Sequence, residues 1–203
     1  MKTLVLLSSI LGDRSKSKAL ADHFLARMRE HEPASDITVR DLAAQPVPYF
    51  DAETAGALFT PADARSDAQR AIVALSDALI AELQAAERVV FAVPTYNFNL
   101  PAQLKSYLDY VARAGITFRY TPEGVPEGLL QGKQVYVLIA RGGKALGTPQ
   151  DSMTPYLKQM LGFLGMQDVT VIAAEGMAMG EFAAAEGLAQ AKARIDELLP
   201  QLA

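Results

Sequence analysis

Cysteine is absent from the chain. Its absence excludes disulfides, iron–sulfur clusters, thiolate zinc sites and cysteine nucleophiles together. Histidine is scarce as well: His23 and His31 are the only two, they fall in or just after the first predicted helix, and neither has a ligand partner at metal-binding spacing. We interpret them as ordinary helix-face residues and predict no metal site.

Runs of one charge sign and long apolar stretches are also missing. The net charge of −4 is spread along the chain without a run of Lys and Arg, so a nucleic-acid partner is not expected. The apolar N-terminal run ends at Ser8 and is followed by Asp13 and Arg14, which makes it too short for a signal peptide or a membrane span. We therefore predict a cytoplasmic protein without a membrane partner.

Short apolar runs alternate with long helical patterns. The predicted strands are Lys2–Leu7, 89–93, Gln134–Ala140 and 169–174, with a shorter edge strand at 37–40. The predicted helices are 17–29, 66–86, 101–112, 154–164 and 181–199. Apolar strands are typical of a parallel sheet covered on both faces. The alternation predicts one α/β domain over residues 1–203, a doubly wound five-stranded parallel sheet of order 2-1-3-4-5 with helices on both faces.

Two connections are longer than this pattern requires. Residues 43–64 contain three prolines, and residues 115–132 contain a Pro- and Gly-rich turn. Long connections in compact domains are usually functional, so we expect these two to be binding or dimer-contact elements.

The first strand leads into a serine-rich loop, residues 8–17, with four hydroxyl side chains and one glycine. Ser15 or Ser17 is predicted to cap the following helix, whose free N–H groups attract a phosphate. The loop lacks the glycine patterns of a triphosphatase or of a dinucleotide site. Hydroxyl groups in place of glycines suit a terminal monophosphate.

The loop after the third strand, residues 94–101, has a proline at each end. Tyr96 and Phe98 flank Asn97 within it. A rigid turn that exposes backbone N–H and C=O groups beside aromatic rings matches the edge of a planar heterocycle.

The loop after the fourth strand begins with Arg141, Gly142 and Gly143. Consecutive glycines allow the backbone to approach a flat ligand. In an open parallel sheet, ligands bind beyond the carboxyl ends of the strands where the strand order reverses, so all three loops are expected to share one crevice. Together they predict FMN, with its phosphate at one end and its ring at the other.

Nearly the whole chain resembles the FMN-dependent NADH-azoreductases, which belong to the flavodoxin-like NAD(P)H:quinone oxidoreductases. The motifs that carry the resemblance are the serine loop, the turn at 95–99, the segment 112–120 and the Arg-Gly-Gly at 141–143. The resemblance implies a flavodoxin-like fold and a homodimer with FMN at the subunit interface. It also implies hydride transfer from NADH or NADPH to flavin N5, and ping-pong reduction of quinones and aromatic azo compounds.

The resemblance further implies a set of site residues. Those for the phosphate are Ser9, Ser15, Lys16 and Ser17. Those for the ring are Thr95, Tyr96, Asn97, Phe98, Ala140, Arg141, Gly142 and Gly143. Those for the substrate are Phe98, Tyr120 and Phe163, with Phe163 supplied by the partner subunit. No catalytic side chain is required, and Tyr120 is the nearest candidate proton donor.

Three positions depart from the family pattern. Thr95 stands where Met is common, Ala140 stands where Ser is frequent, and an Arg that some members carry near Phe59 is missing. These departures leave open the flavin potential, the nucleotide preference and the azo-dye specificity.

Other functional classes fit the same sheet. A flavodoxin-type electron carrier without substrate turnover is the main alternative, although carriers usually have a more acidic face than this chain. A phosphoester hydrolase or a receiver domain would need carboxylates clustered at strand ends, whereas Asp13 stands alone in the first loop.

Overall fold

The computed structural model describes residues 1–199, so residues 200–203 of the predicted domain lie outside the described part. The strands are β1 Lys2–Leu7, β2 Asp36–Asp41, β3 Arg88–Pro94, β4 Phe118–Tyr120, β5 Pro126–Gly128, β6 Gln134–Ala140 and β7 Asp168–Ala174. Five of them form a parallel sheet in the order β2-β1-β3-β6-β7. This arrangement confirms the predicted 2-1-3-4-5 order.

The helices are α1 Lys16–His31, α2 Ala52–Phe59, α3 Asp67–Ala85, α4 Ala102–Val111, α5 Met153–Phe163 and α6 Glu181–Leu198. The five predicted helices match α1, α3, α4, α5 and α6 with ends that differ by at most two residues. Within residues 1–199, no helix is both long and apolar enough to cross a membrane.

Alternating side chains of the strands build two apolar layers. Leu4 and Leu6 of β1 belong to a core with α3, α4 and α5, whereas Val5 of the same strand packs into a second core with α1 and α6. Successive strand residues point to opposite faces, so each central strand supplies both layers. This explains why these strands read as nearly continuous apolar runs, and it confirms helices on both faces.

One helix and one hairpin inside the long connections were not predicted. Helix α2 begins after Asp51, whose carboxylate accepts a 2.8 Å hydrogen bond from the Thr54 N–H. Strands β4 and β5 pair antiparallel in a hairpin beside the main sheet. Each strand of the hairpin has three residues, which is too short for a visible hydrophobic period.

Candidate functional site

The three loops singled out in the sequence meet at the carboxyl edge of the sheet. The Ser9 hydroxyl lies 3.1 Å from the Tyr96 hydroxyl, which joins the first loop to the second. The Thr95 N–H donates to the Ala140 carbonyl at 2.8 Å, which joins the second loop to the third. These bonds bring the predicted phosphate and ring segments together at the edge where an open parallel sheet places its ligand.

The serine loop presents the first turn of α1. Ser15 is the N-cap, because its hydroxyl accepts the Lys18 N–H at 3.1 Å. The Ser17 hydroxyl lies 3.1 Å from that of Ser15, and both side chains are buried, whereas Lys16 is exposed. The unpaired N–H groups of a helix start attract an anion, and the hydroxyls beside them add further donors.

The second loop is a tight two-residue turn. Tyr96 and Asn99 exchange backbone hydrogen bonds of 2.9 and 3.0 Å, while Asn97 and Phe98 have φ angles of 47° and 70°. Two positive φ angles closed in this way define a type I′ turn, which normally uses Asn and Gly. A side chain in this left-handed region costs on the order of 1–2 kcal/mol. The aromatic Phe98 is therefore held in a conformation that it would not adopt alone.

The turn leaves one peptide group free. The Asn97 and Phe98 N–H groups and the Asn97 carbonyl have no hydrogen-bond partner within residues 1–199, and both residues are exposed. Both residues also line a cavity of about 470 Å³, a size typical of ligand pockets. The backbone thus has two donors and one acceptor that are available to a ligand.

The loop after β7 holds the third loop in place through backbone hydrogen bonds. The N–H groups of Gly176, Met177 and Ala178 donate to the carbonyls of residues 143, 141 and 142 at 3.0–3.1 Å. A Cβ on Gly142 would lie 3.1 Å from that of Ala178, so a side chain there would crowd this pairing. A Cβ on Gly143 would meet no atom within 4 Å. The backbone at 143 therefore remains open to the cavity.

The Arg141 side chain lies in a buried network. Its guanidinium is 5% exposed and donates to Asp151 at 3.1 Å and to the Thr154 hydroxyl at 3.3 Å. Glu175 lies 3.8 Å away. Burial disfavours the charged form of Asp151, but hydrogen bonds from Thr154 and Arg141 outweigh this effect and hold the pKa of the carboxyl below its usual range. The network keeps both charges and attaches the third loop to the start of α5.

Of the predicted residues, six line the cavity: Thr95, Asn97, Phe98, Arg141, Gly142 and Gly143. The lining residues that the sequence reasoning missed are Lys144, Ala145, Gln150, Asp151 and Met153. Most belong to the segment that leads into α5. An Asp and a Ser before a helical pattern do signal a helix start, but they do not reveal that this helix start faces the Gly-Gly loop.

Two predicted substrate residues lie elsewhere in the chain. The rings of Phe163 and Phe118 are 4.4 Å apart, and the Tyr120 ring lies 5.8 Å from that of Phe118. Phe163 lines a second cavity, about 1090 Å³, together with Gln134 and Asp168. These last two residues begin β6 and β7, so this cavity is at the opposite edge of the sheet. A single chain therefore does not bring Tyr120 and Phe163 to Phe98.

The smaller cavity has the chemistry of a ring-binding site. It combines the free 97–98 peptide, an exposed aromatic ring and an open glycine backbone, and its charged lining residues are Arg141, Lys144 and Asp151. Arg141 and Asp151 pair with each other, and Lys144 adds a positive charge, which favours a ligand on which negative charge develops. The larger cavity lies at the amino edge of the strands, away from the three loops. The smaller cavity is therefore the candidate ring-binding site.

Comparison with known proteins agrees with this geometry. A family model described as "Flavodoxin-like fold" matches residues 1–199, and the chain therefore belongs to this family. The chain is 73% identical to the FMN-dependent NADH:quinone oxidoreductase of Bordetella bronchiseptica, over 98% of this chain and 95% of that protein. It is 51% identical to the protein of the same name from Dechloromonas aromatica, over 98% of this chain and 100% of that protein.

A solved structure extends the comparison. The FMN-dependent NADH-azoreductase of Bacillus anthracis, crystallised in complex with FMN, superposes with a TM-score of 0.89 at 27% identity. The match covers 100% of this chain and 99% of that chain.

Proposed function

We propose that this protein is an FMN-dependent oxidoreductase that takes a hydride from NADH and reduces quinones and aromatic azo compounds. The observation that carries the proposal is the free 97–98 peptide, whose two residues line the 470 Å³ cavity at the edge of the sheet that also holds the helix start at Ser15. The named relatives support the same activity. Their names describe enzymes with a substrate, which favours turnover over simple electron carriage.

The residues of this chain fit FMN from one end to the other. The first turn of α1, with Ser9, Ser15, Lys16 and Ser17, would hold the phosphate. The turn at 95–98 and the backbone at 140–143 would hold the ring. When bound, FMN supplies hydride acceptance from the nicotinamide and electron donation to the acceptor.

The backbone N–H groups around the cavity would stabilise the reduced state. Reduction places negative charge on the ring, and donors that are already oriented stabilise it without reorganisation. Asn97, Phe98 and Gly143 supply such groups, with the charges of Arg141 and Lys144 beside them. Ser9 and Tyr96 keep the phosphate and ring segments at a fixed spacing through their 3.1 Å contact.

The substrate slot would require a second copy of the chain. Phe98 belongs to the carboxyl edge and Phe163 to the amino edge, and the seven residues of β6 separate the two edges by roughly 20 Å. We therefore propose a homodimer in which Tyr120 and Phe163 of the partner subunit complete the slot over Phe98. Water suffices as proton source, and Tyr120 is a candidate donor. NADH is made in the cytoplasm, and we propose that the protein acts there.

Steady-state kinetics test the function. With NADH and a benzoquinone varied together in the presence of FMN, a ping-pong enzyme gives parallel double-reciprocal lines. Phe98→Ala should raise the KM for the quinone several-fold. The matched control is Phe182→Ala, since Phe182 is equally exposed (84% against 82%) and does not line the cavity. NADH oxidation no faster than with free FMN would contradict the function, and intersecting lines would contradict the ping-pong order.

Light scattering tests the dimer. The protein with FMN should have twice the mass of one chain, and a monomer that is fully active would contradict the proposed slot. Tyr120→Phe should retain most of the quinone reduction rate if water is the proton source, whereas a large loss would identify the hydroxyl as the donor.

A further inference from the structure

A carboxylate just beyond the end of β7 holds the continuation of the third loop. Glu175 directly follows β7, and its Oε1 atom accepts the N–H groups of Ala145 and Leu146 at 2.7 and 2.8 Å. Ala145 lines the smaller cavity together with Lys144, whereas Glu175 does not. The carboxylate therefore holds a lining segment of the candidate ring-binding site from outside the cavity.

The backbone that carries Glu175 is itself held on two sides. The N–H groups that follow it, at 176–178, are bonded to the carbonyls of the third loop. On the other side α6 packs directly against it, because a Cβ on Gly187 would lie 2.1 Å from the Glu175 carbonyl oxygen. The carboxylate is therefore a hydrogen-bond acceptor on a fixed support.

The segment that Glu175 holds has few other anchors. Residues 144–150 form neither helix nor strand. The N–H of Gly147 donates to the adjacent Asp151 carboxylate over a long 3.4 Å. Within residues 1–199, Glu175 is the one residue distant in sequence that forms hydrogen bonds with this segment.

Glu175 acts on the segment as a hydrogen-bond acceptor more than as a charge. Its ion-pair partner, the Arg141 Nε atom, lies at 3.8 Å, which is too long for a hydrogen bond. Arg141 already pairs with Asp151 at 3.1 Å. The two N–H groups are the closer partners of the carboxylate, and a neutral amide oxygen in the same place would accept both of them.

We propose that Glu175 is a positioning residue for the flavin ring: its carboxylate holds residues 144–146 at the ring site through two successive N–H groups. This inference rests on the proposed function. Without the carboxylate, the two N–H groups lose their acceptor and the segment becomes more mobile. Binding of FMN then has to order the segment, and that cost lowers the affinity.

Two substitutions at this position test the assignment. Glu175→Ala removes both hydrogen bonds and should weaken FMN binding by about 3- to 10-fold. Glu175→Gln removes the charge but keeps an acceptor oxygen, so it should bind FMN as the wild type does. Titration of FMN fluorescence with flavin-stripped protein, well below the melting temperature of each variant, measures the affinity.

Hydrogen exchange followed by mass spectrometry measures the segment directly. In flavin-stripped Glu175→Ala, peptides that cover residues 144–147 should exchange faster than in the wild type, because their N–H groups are no longer bonded. Peptides from the rest of the chain should exchange at the wild-type rate, and Glu175→Gln should exchange like the wild type throughout.

Glu87→Ala is the matched control. Its carboxylate also accepts a backbone N–H, that of Lys2 at 2.8 Å. Glu87 precedes β3 and so lies at the amino edge of the sheet, away from the three loops. The same change of residue type should leave both the FMN affinity and the exchange of residues 144–147 unchanged.

The outcomes separate the two proposals. A wild-type chain that takes up no FMN would contradict the proposed function. A wild-type chain that binds FMN, with Glu175→Ala equal to it in affinity, would overturn only the role of Glu175. A Glu175→Gln variant as weak as Glu175→Ala would overturn that role as well, and so would faster exchange spread over the whole chain in Glu175→Ala.

Discussion

Removal of the Asp151 carboxylate should strongly destabilise the protein. Asp151 and Arg141 have side chains 3% and 5% exposed and lie 3.1 Å apart. In Asp151→Ala the guanidinium keeps its charge, with the Thr154 hydroxyl at 3.3 Å and Glu175 at 3.8 Å. Breaking a buried ion pair from one side costs about 3–5 kcal/mol. Loss of the bond from the Thr154 N–H adds about 1 kcal/mol.

Such a loss is a large part of the about 5–15 kcal/mol that stabilises a typical domain. For a chain of this size it lowers the melting temperature by roughly 8–24 °C. Urea unfolding followed by circular dichroism measures the free energy, and scanning calorimetry measures the melting temperature. Because unfolding of flavoproteins depends on bound FMN, both should be measured on flavin-stripped protein.

Two further variants make this prediction specific. Glu197→Ala removes an exposed partner of Arg194, with side chains 62% and 57% exposed, and should cost less than about 1 kcal/mol. The double variant Arg141→Met, Asp151→Ala removes both charges and should be more stable than Asp151→Ala alone. A cost below about 1 kcal/mol for Asp151→Ala would refute the buried-pair reasoning, as would a double variant that is less stable than the single one.

Three other predictions follow from single contacts. Hydrogen bonds hold the pKa values of Glu32 and Asp151 below the usual range. The stabilisation that they contribute is complete above about pH 5 and is lost as the pH falls through the lowered values. Asp151→Asn should flatten this acid limb in urea titrations. Tyr96→Phe removes the hydroxyl that joins the first loop to the turn and should weaken FMN binding by about 3- to 10-fold in fluorescence titrations. Unchanged binding would show that this contact between the two loops does not contribute to FMN affinity. A Cβ at Gly128 would lie 2.0 Å from the Gly165 nitrogen, so Gly128→Ala should cost at least about 1–3 kcal/mol by calorimetry; an unchanged melting temperature would contradict this close packing.

The main sheet was predictable because its signals are local. The Val- and Leu-rich runs and the helical periods depend on neighbours in sequence, and every predicted strand end lies within one residue of the observed end. The β4–β5 hairpin depends instead on distant contacts. The Phe118 ring lies 4.4 Å from that of Phe163, and the N–H of Leu130, just after β5, donates to the Leu164 carbonyl at 2.9 Å. Contacts between segments so far apart in sequence leave no periodic pattern.

The site was predictable in part for the same reason. The serine loop, the Tyr-Asn-Phe turn and the Gly-Gly pair are short motifs that follow strands, and the general geometry of a parallel sheet brings them together. The role of Asp151 was not predictable. It acts through a contact with a residue 10 positions earlier in the chain, and an aspartate does not signal a ring-binding segment.

The most direct test of the central claim is anaerobic rapid mixing of the purified, FMN-loaded protein with NADH and then with a quinone. The account predicts one FMN per chain, bleaching of the oxidised-flavin absorbance by NADH on the timescale of turnover, and recovery of that absorbance when the quinone is added. A protein that takes up no FMN, or a bound flavin that NADH leaves oxidised on that timescale, would contradict it.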